Sequence, residues 1–514
     1  MSSESKLLYK TKSLCPECLK LIDAAVVERD GKVYIEKTCD EHGFFSHIYW
    51  SDAEMFKRVE KYARDGSGVE NPAIKKMSKG CPFDCGLCPI HKSHTALGIV
   101  DVTNRCNLRC PVCFDAAFAT GYVYEPTLEQ IKYLFSILRS NKPVPCPAVQ
   151  ITGGEPTVRE DLLDIIKAAK EAGFAHIELN TNGLKLAESL EYTMKIAEAG
   201  CTTVYLSFEG FSDKAYEHKG RNLLKEKLKA IENCRKAKIN VVLVPTLVKE
   251  INDGEIGRII EFAVENIDVI RCVNFQPISF VGRCELEEIE RHRITIPEAI
   301  EKIEEQTNGR IKKEDFYPVP TVVDIARFIG LLEGSPKVEF TTNVHCGMAT
   351  YLYVSRDGSY KPIPRFINVD RFLDGLREAS EILKRRGFLA KTRARLKALS
   401  ALRNSVIKEE LPPELDVLNL LKQVLIRRDY SALAEFHMGR VLMIGMMHFQ
   451  DSFNVDLERL KRCAIHYPTL DGRLIPFCAM NMTDRHGRSL YRKQIETKYS
   501  IPIEEWRKLR GASA

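Results

Sequence analysis

The cysteines of this chain could do the most specific chemistry. Nine of the 17 fall in three tight groups within the first 113 residues of a 514-residue sequence. Two groups share the spacing CxxxCxxC, and their members are Cys81, Cys85 and Cys88, and Cys106, Cys110 and Cys113. Three thiolates from one short loop can hold three irons of a cubane iron–sulfur cluster and leave the fourth iron free for another ligand. We therefore predict a 4Fe–4S cluster at each triplet, with a zinc knuckle as the alternative at the first.

The third group is predicted to bind a single metal ion. Its members form two pairs, Cys15 with Cys18 and Cys39 with His42, separated by a hairpin-like stretch with Asp30-Gly31 as the turn. Soft or borderline ligands in two pairs suit a tetrahedral ion. We expect one mononuclear zinc or rubredoxin-like iron, in a structural role.

The second triplet and several polar residues follow apolar runs of the central region. The polar group comprises Gly153, Gly154 and Glu155 after the second run, Asn182 after the third, and Ser207 and Glu209 at the end of the fourth. Adjacent glycines let a ligand approach the backbone closely, and a neighbouring carboxylate can accept hydrogen bonds from an ammonium group. The pattern predicts a ligand with an ammonium group beside the second run.

These residues need strands and helices to position them. Apolar runs at 97–102, 148–152, 177–180, 203–208, 241–244 and 269–275 alternate with helical patterns such as 128–139, 160–172, 187–199 and 223–237. Such alternation predicts an α/β fold with a parallel sheet and helices outside it. About 190 residues fit a partial (β/α)6 TIM-like barrel better than a complete eight-stranded one. Reactive residues should then lie at the carboxyl ends of the strands.

Three regions are expected along the chain. Residues 1–95 would form an N-terminal domain with the metal knuckle and the first triplet, 96–285 the barrel, and 286–514 a mainly helical C-terminal domain for an auxiliary cluster and the substrate. Cys346, Cys463 and Cys478 lie in polar, turn-rich contexts that predict exposed loops. Together with Cys272 or Cys284 they are predicted to bind a further cluster.

Composition and charge restrict the class of protein. The chain is 44% hydrophobic and 28% charged, and it contains no apolar run long enough for a membrane span. Its first residues lack the apolar segment of a signal peptide, so we expect a cytoplasmic protein in which clustered thiols bind metals and do not form disulfides. A net charge of +6 over this length is weak evidence for a polyanion, and no nucleic-acid partner is predicted.

The central region resembles the radical S-adenosylmethionine superfamily. The resemblance rests on VTNRCNLRCPVCF around the second triplet and on TGGEPT after the second run. It implies a 4Fe–4S cluster on this triplet, with S-adenosylmethionine bound to its open iron and to the GGE segment, Asn182, Ser207 and Glu209. It also implies an electron donor such as a ferredoxin and an auxiliary cluster on the first triplet, with His91, His94, a distant Cys or substrate as its fourth ligand. Val112 departs from the usual aromatic residue before the third Cys.

The whole chain is similar to a set of archaeal members that share CPFDCGLCPIHK, VTNRCNLRCP, TGGEPT and a late DGRLIPFC. Members are described as tetraether lipid synthases or as methylases of 7,8-dihydro-6-hydroxymethylpterin, and the shared motifs do not distinguish between these two activities. Residues 385–408 carry eight Lys or Arg and no acidic residue, and 433–449 hold four of the 11 Met. These stretches favour coupling of archaeal diether phospholipids, with peripheral contact at the inner membrane face. The dihydropterin is the alternative substrate, and an iron–sulfur electron carrier is the alternative from another class.

Overall fold

An antiparallel sheet forms the N-terminal part of the protein. The computed structural model describes residues 5–115, 120–284, 289–385, 387–415 and 440–510. The first strands are β1 (Lys6–Leu14), β2 (Leu21–Arg29), β3 (Lys32–Cys39) and β4 (Gly43–Trp50), neighbours in space in that order, and helix α1 (Ala53–Val59) follows. Asp30 and Gly31 both have positive φ, as a two-residue hairpin turn requires. The predicted turn is therefore confirmed.

The central region supplies ten strands and six helices among the described residues. The strands are β5 (Leu97–Thr103), β6 (Val112–Cys113), β7 (Tyr122–Val123), β8 (Ala148–Gly153), β9 (His176–Thr181), β10 (Thr203–Ser207), β11 (Asn240–Val244), β12 (Thr246–Leu247), β13 (Ile270–Pro277) and β14 (Arg283–Cys284). The helices are α2 (Leu128–Arg139), α3 (Leu162–Glu171), α4 (Leu184–Glu188), α5 (Leu190–Ala199), α6 (Leu224–Ala237) and α7 (Ile256–Glu265).

The predicted parallel sheet is present. Its central strands run β5-β8-β9-β10-β11-β13, all parallel, and each predicted apolar run overlaps one of them. Local sequence explains the alternation of strand and helix. Thr127 and Gln130, for example, form a capping box that starts α2, whose apolar face then packs on the sheet. Outward side chains such as Val204 and Leu206 are fully buried, while Tyr205 between them faces the barrel interior. The partial-barrel fold class is confirmed.

Residues after the barrel add strands to both edges of its sheet. These strands are β15 (Tyr317–Pro318), β16 (Gly347–Val354), β17 (Tyr360–Pro362), β18 (Val441–Met447), β19 (Ile465–Pro468) and β20 (Leu474–Pro476). Strand β21 (Ile501–Pro502) pairs instead with β7 in a separate two-stranded sheet. Strand β18 is parallel to β13 and is followed by antiparallel β16, whereas β19 is parallel to β5 at the opposite edge. The central and C-terminal regions thus share one sheet. We propose that they fold around a common core, so that residue 285 is a boundary in the sequence but not between two domains.

Helices of the C-terminal region pack beside this extended sheet. They are α8 (Ile289–His292), α9 (Ile296–Gln306), α10 (Val323–Glu333), α11 (Ile363–Phe366), α12 (Val369–Lys384), α13 (Ala390–Ser405), α14 (Leu457–Leu460), α15 (Phe477–Asn481), α16 (Arg492–Glu496) and α17 (Ile503–Arg510). Gly375 lets α12 and α13 approach closely, because a Cβ there would lie 2.1 Å from Ala401 Cβ. None of the described helices combines the length and apolar character of a bilayer span.

The methionine-rich stretch is a strand where the structure describes it. Residues 433–439 of that stretch lie outside the described residues, and Val441–Met447 form β18. A strand with neighbours on both sides is apolar throughout, so periodicity cannot distinguish it from a buried helix. The described part of this stretch is thus a strand and not a helix.

Candidate active site and metal centres

One cavity of about 950 Å³ joins the barrel interior to the carboxyl ends of its strands. Its lining includes most of the predicted site residues: Cys106, Cys110, Cys113, Gly153, Gly154, Glu155, Asn182 and Ser207. Polar side chains from inside the barrel, such as Glu178 and Tyr205, also line it. A large cavity with a few convergent polar groups is typical of a small-molecule site.

The loop of the second cysteine triplet forms one wall of this cavity. All three cysteines are half-buried, and Cys106 Sγ accepts a hydrogen bond from the Leu108 N–H at 3.4 Å. Burial raises the pKa of the Cys106 thiol, so a bound metal would be needed to keep it deprotonated. Strand β6, which contains Cys113, pairs with β14 and fixes the end of the loop. Three thiols on one wall of an open cavity fit a cluster that also binds a small molecule.

The two glycines after β8 make room for this loop. A Cβ on Gly153 would lie 2.0 Å from the Thr103 carbonyl oxygen, and one on Gly154 would lie 2.3 Å from the Arg105 carbonyl oxygen. The Gly154 N–H donates to Thr103 O at 2.8 Å, and the Glu155 N–H donates to Arg105 O at 2.8 Å. The close approach that requires glycine is thus between two backbone segments, which holds the start of the cysteine loop against the end of β8.

The Gly154→Ala variant is expected to lose stability and iron. The added methyl group meets backbone, which cannot move aside cheaply, so we expect destabilisation of about 1–3 kcal/mol or more. The loop would then shift, and reconstituted protein should hold less iron than wild type. Thermal unfolding and iron analysis would measure both effects. Gly254→Ala is the matched control because nothing lies within 4 Å of its added Cβ. Equal stability and iron content in the two variants would contradict this role of Gly154.

Glu155 connects the ends of β8 and β9. Its Oε1 accepts hydrogen bonds from the hydroxyls of Thr157 at 2.6 Å and Thr181 at 2.7 Å, and its Oε2 accepts from the Asn182 N–H at 2.7 Å. Asn182 Nδ2 in turn donates to Asn107 Oδ1, in the cysteine loop, at 2.7 Å. These bonds fix a carboxylate at the cavity wall, where it can still accept from a ligand's ammonium group.

Two lysines that sequence analysis missed lie near Glu209: Lys219, whose side chain is 16% exposed, and fully buried Lys227. Lys219 lines the cavity, and its Nζ lies 3.1 Å from Glu209 Oε1. Lys227 Nζ donates to Ser207 Oγ at 2.9 Å. Glu209 is fully buried and does not line the cavity, so the prediction of a direct cofactor contact is corrected: it holds Lys219 in place. Burial opposes ionisation of Glu209, but Lys219 and a neighbouring histidine lower its pKa to about 2.

No local motif indicated these lysines. Lys219 is the last residue of a 3-10 helix and Lys227 lies on α6, so only the folded chain brings them to the ends of β9 and β10. Two ammonium groups and two carboxylates, Glu209 and Glu155, lie in this corner. Lys219 lines the cavity, so its ammonium group could pair with an anionic group of a ligand.

The first triplet forms a separate, smaller pocket. Cys81, Cys85 and Cys88 line it together with His91 and Lys461. The loop is held by the Cys85 N–H, which donates to the Tyr491 hydroxyl at 3.1 Å. His91 remains a candidate fourth ligand because it lines the pocket. His94 is not one, since its Nε2 accepts a hydrogen bond from the Glu339 N–H at 3.0 Å and it lies outside the pocket.

The four predicted ligands of the mononuclear site meet at one point. Ligand atoms of Cys15, Cys18, Cys39 and His42 all lie within 4.8 Å of one another. His42 Nδ1 is 3.5 Å from Cys39 Sγ and 3.7 Å from Cys15 Sγ. The two pairs come from the β1–β2 and β3–β4 connections. This donor set fits one tetrahedral zinc or iron ion.

The C-terminal cysteines are gathered around a buried arginine. Arg459 Nε donates to Cys346 Sγ at 3.4 Å. Besides the larger effect of burial, Cys346 raises the pKa of both the Cys463 and Cys478 thiols, and Cys478 also raises that of Cys463. The fold thus brings these three residues near one another, and their binding of a cluster stays a prediction. The prediction of exposed loops is wrong: Cys478 lies on α15 and is 9% exposed, because β19 and β20 carry this segment into the sheet.

Cys272 and Cys284 do not join that group. Cys272 lies on β13 and packs with Val242 and Val244 inside the barrel. Cys284 lies on β14, opposite Val112 beside the second triplet. Both were predicted to join the C-terminal cluster because they lie near the last barrel strand in the sequence. In the fold, Cys272 faces the barrel interior and Cys284 lies beside the second triplet. The assignment of either one as a ligand there is corrected.

Comparison with known proteins agrees with this geometry. Residues 100–263 match the Radical SAM superfamily, and residues 7–51 match the HMPTM N-terminal zinc ribbon domain. The chain is 48% identical over 506 residues to "7,8-dihydro-6-hydroxymethylpterin dimethyltransferase" of Methanocaldococcus jannaschii, which covers 97% of each protein.

Weaker matches cover part of the chain. "Probable GTP 3′,8-cyclase" of Thermococcus kodakarensis is 29% identical over 56% of this chain and 92% of that protein. Among solved structures, methylornithine synthase is 15% identical with a TM-score of 0.33, over 42% of this chain and 63% of that one.

Proposed function

This chain belongs to the radical S-adenosylmethionine superfamily, in the same family as the pterin dimethyltransferase that it matches over 97% of its length, and we propose that it methylates a 6-hydroxymethyl-dihydropterin. It is an iron–sulfur enzyme that uses S-adenosylmethionine and carries an extra metal site in its N-terminal ribbon. The full-length identity of 48% carries the proposal, since it spans the ribbon, the barrel and the C-terminal strands together.

The prediction of a tetraether lipid synthase is wrong. The full-length relative is named as a pterin dimethyltransferase, which matches the alternative interpretation. The methionine-rich stretch that favoured lipid includes a central strand of the sheet, so packing accounts for its apolar character. The electron-carrier alternative is also set aside, because the superfamily match identifies an enzyme.

The cofactor site is proposed from the cavity wall. When bound and reduced, the 4Fe–4S cluster supplies the electron that cleaves S-adenosylmethionine to methionine and a 5′-deoxyadenosyl radical. We propose Cys106, Cys110 and Cys113 as its ligands. Glu155 would accept from the methionine ammonium group, and Lys219 would pair with the methionine carboxylate. These residues orient the cofactor and keep its charged end out of water.

Two further groups of cysteines are proposed to hold auxiliary clusters. One is Cys81, Cys85 and Cys88, with His91 beside them. The other is Cys346, Cys463 and Cys478, whose charge the buried Arg459 would offset. An enzyme of this superfamily requires a reductant, and we propose a ferredoxin in that role.

Substrate-dependent cofactor cleavage tests the proposed function. The protein would be reconstituted with iron and sulfide under anaerobic conditions and supplied with S-adenosylmethionine and a strong reductant. We expect 7,8-dihydro-6-hydroxymethylpterin to increase formation of 5′-deoxyadenosine several-fold, because a bound substrate commits the radical to productive chemistry. Cluster-loaded protein whose cleavage rate does not respond to the pterin would contradict the proposal.

We further propose peripheral contact with an anionic membrane through the start of α13. Phe388, Leu389 and Leu396 are 91%, 53% and 59% exposed. Exposed Lys391 and Arg393 flank them, and the charge of residues 385–408 is wholly basic. Apolar side chains beside cations fit the boundary between headgroups and acyl chains of an anionic leaflet.

Vesicle sedimentation would test this contact. Wild-type protein is expected to sediment with vesicles containing phosphatidylglycerol and much less with neutral phosphatidylcholine vesicles, with binding weakened by salt. Phe388→Ser should reduce binding several-fold. Phe44→Ser is the matched control, since Phe44 is 63% exposed on the distant ribbon. Equal losses in the two variants, or no binding by wild type, would contradict the contact.

A further inference from the structure

An aromatic-walled corner of the cavity lies between the second cysteine triplet and the C-terminal cysteines. We call Phe114, Phe449, Tyr467 and Phe477 the aromatic wall, and all four line the cavity. Phe449 and Phe477 stack with ring centroids 4.0 Å apart, and Tyr467 stacks on Phe477 at 5.5 Å. Phe114 is 6.1 Å from Phe477 and 37% exposed, so one ring face of the wall is open to a ligand. A planar ring system is the ligand that such a surface favours.

A carboxylate with a free oxygen stands beside the aromatic wall. Asp115 is only 4% exposed and lines the cavity. Its Oδ1 accepts a hydrogen bond from Arg492 Nη1 at 2.7 Å, whereas its Oδ2 is buried without a hydrogen-bond partner among the described residues. A buried acceptor without a partner is costly, so such an atom at a cavity wall indicates a missing donor.

The charged groups around Asp115 supply too few hydrogen-bond donors for its two oxygens. Arg492 Nη1 is shared by three buried carboxylates: it donates to Asp101 Oδ2 at 2.6 Å and to Glu496 Oε1 at 2.8 Å, as well as to Asp115. One guanidinium therefore faces three acids. The guanidinium already occupies the centre of this group, so a metal ion is not the missing partner. N–H donors of a ligand in the cavity would satisfy the free oxygen without adding an ion.

We propose that Asp115 and the aromatic wall recognise the pyrimidine ring of the dihydropterin. The 2-amino-4-oxo-pyrimidine edge presents N–H groups that would donate a hydrogen bond to Asp115 Oδ2. The flat ring would stack on Phe114. This inference rests on the proposed pterin substrate and adds the residues that select it. Phe114 and Asp115 directly follow the proposed cluster ligand Cys113 in the chain, and Phe477 precedes Cys478. A ring bound at the aromatic wall would therefore lie between the two groups of cysteines.

Equilibrium binding of the substrate tests this assignment without turnover. Anaerobic calorimetry would use cluster-loaded protein, S-adenosylmethionine, no reductant, and 7,8-dihydro-6-hydroxymethylpterin as the probe. Asp115→Asn should weaken binding roughly tenfold, the loss expected for one hydrogen bond. Asp101→Asn is the matched control, because Asp101 shares Arg492 and also has a free buried oxygen but does not line the cavity. It should leave the dissociation constant within about twofold.

A second pair of variants covers the case in which Asp115→Asn does not fold. Phe114→Leu should weaken pterin binding by roughly two- to tenfold through lost stacking. Phe340→Leu, which changes a partly exposed ring elsewhere in the cavity, should not. Wild-type affinity in both Asp115→Asn and Phe114→Leu would overturn the assignment and leave the proposed function intact. If wild type itself binds no pterin, the proposed function fails and the assignment fails with it.

Discussion

Cys110→Ala is expected to abolish cleavage of S-adenosylmethionine while the fold and the other metal centres persist. The second triplet supplies its thiols from one short loop, so loss of the central one leaves two ligands for a cluster that needs three. Without the cluster, no electron reaches the cofactor. 5′-Deoxyadenosine should fall to the level of protein-free controls, and iron and sulfide should fall by the content of one cluster.

The control for this variant is another cysteine of the same region. Cys146→Ala removes a fully buried thiol that donates to the Ala148 carbonyl at 3.2 Å and does not line the cavity. We expect it to lose about 1 kcal/mol of stability and to retain its iron and its cleavage activity. Wild-type cleavage by Cys110→Ala would show that another group of cysteines activates S-adenosylmethionine.

Cys39→Ala is expected to unfold the N-terminal ribbon. Structural zinc contributes folding free energy on the order of 10 kcal/mol in small metal-binding domains, which exceeds what a short four-stranded sheet can replace by packing. The variant should lose the mononuclear metal. Strands β1 to β4 should then lose their protection from amide hydrogen exchange, which mass spectrometry would detect.

The effect should extend to the segment between β18 and α14. Buried Lys37, on β3, donates to the Ser452 carbonyl at 2.6 Å, and the Tyr9 hydroxyl donates to Asp456 Oδ2 at 2.9 Å. The segment between β18 and α14 is therefore held by the ribbon, and its exchange should also increase. Thr38→Ala alters the exposed neighbour of Cys39 and should change neither metal content nor exchange. Full metal retention by Cys39→Ala would contradict the ligand assignment.

The barrel could be predicted from the sequence because the patterns that indicate its strands, helices and cysteine loop each lie within a short stretch of the chain. Each buried strand is a short apolar run, each helix has its own periodicity, and CxxC-type spacings bring ligands together within one loop. The ribbon hairpin was equally predictable from Asp30-Gly31, which tolerate the positive φ of the turn.

The remainder depended on contacts between distant residues. Strands β16, β18 and β19 join the sheet far from their place in the sequence, and an apolar run does not reveal its neighbours. Lys219 and Lys227 became site residues only through the turn and helix after β10. The role of the glycine pair was also hidden, because the atoms that crowd Gly153 and Gly154 belong to residues about 50 positions earlier in the chain.

A competition between substrates would show directly which molecule this enzyme modifies. One anaerobic reaction would contain reconstituted protein, S-adenosylmethionine, a strong reductant, 7,8-dihydro-6-hydroxymethylpterin and an archaeal diether phospholipid, and its products would be analysed by mass spectrometry. We expect a pterin heavier by one or two methyl groups and an unchanged lipid. A tetraether lipid formed while the pterin stays unmodified would contradict it.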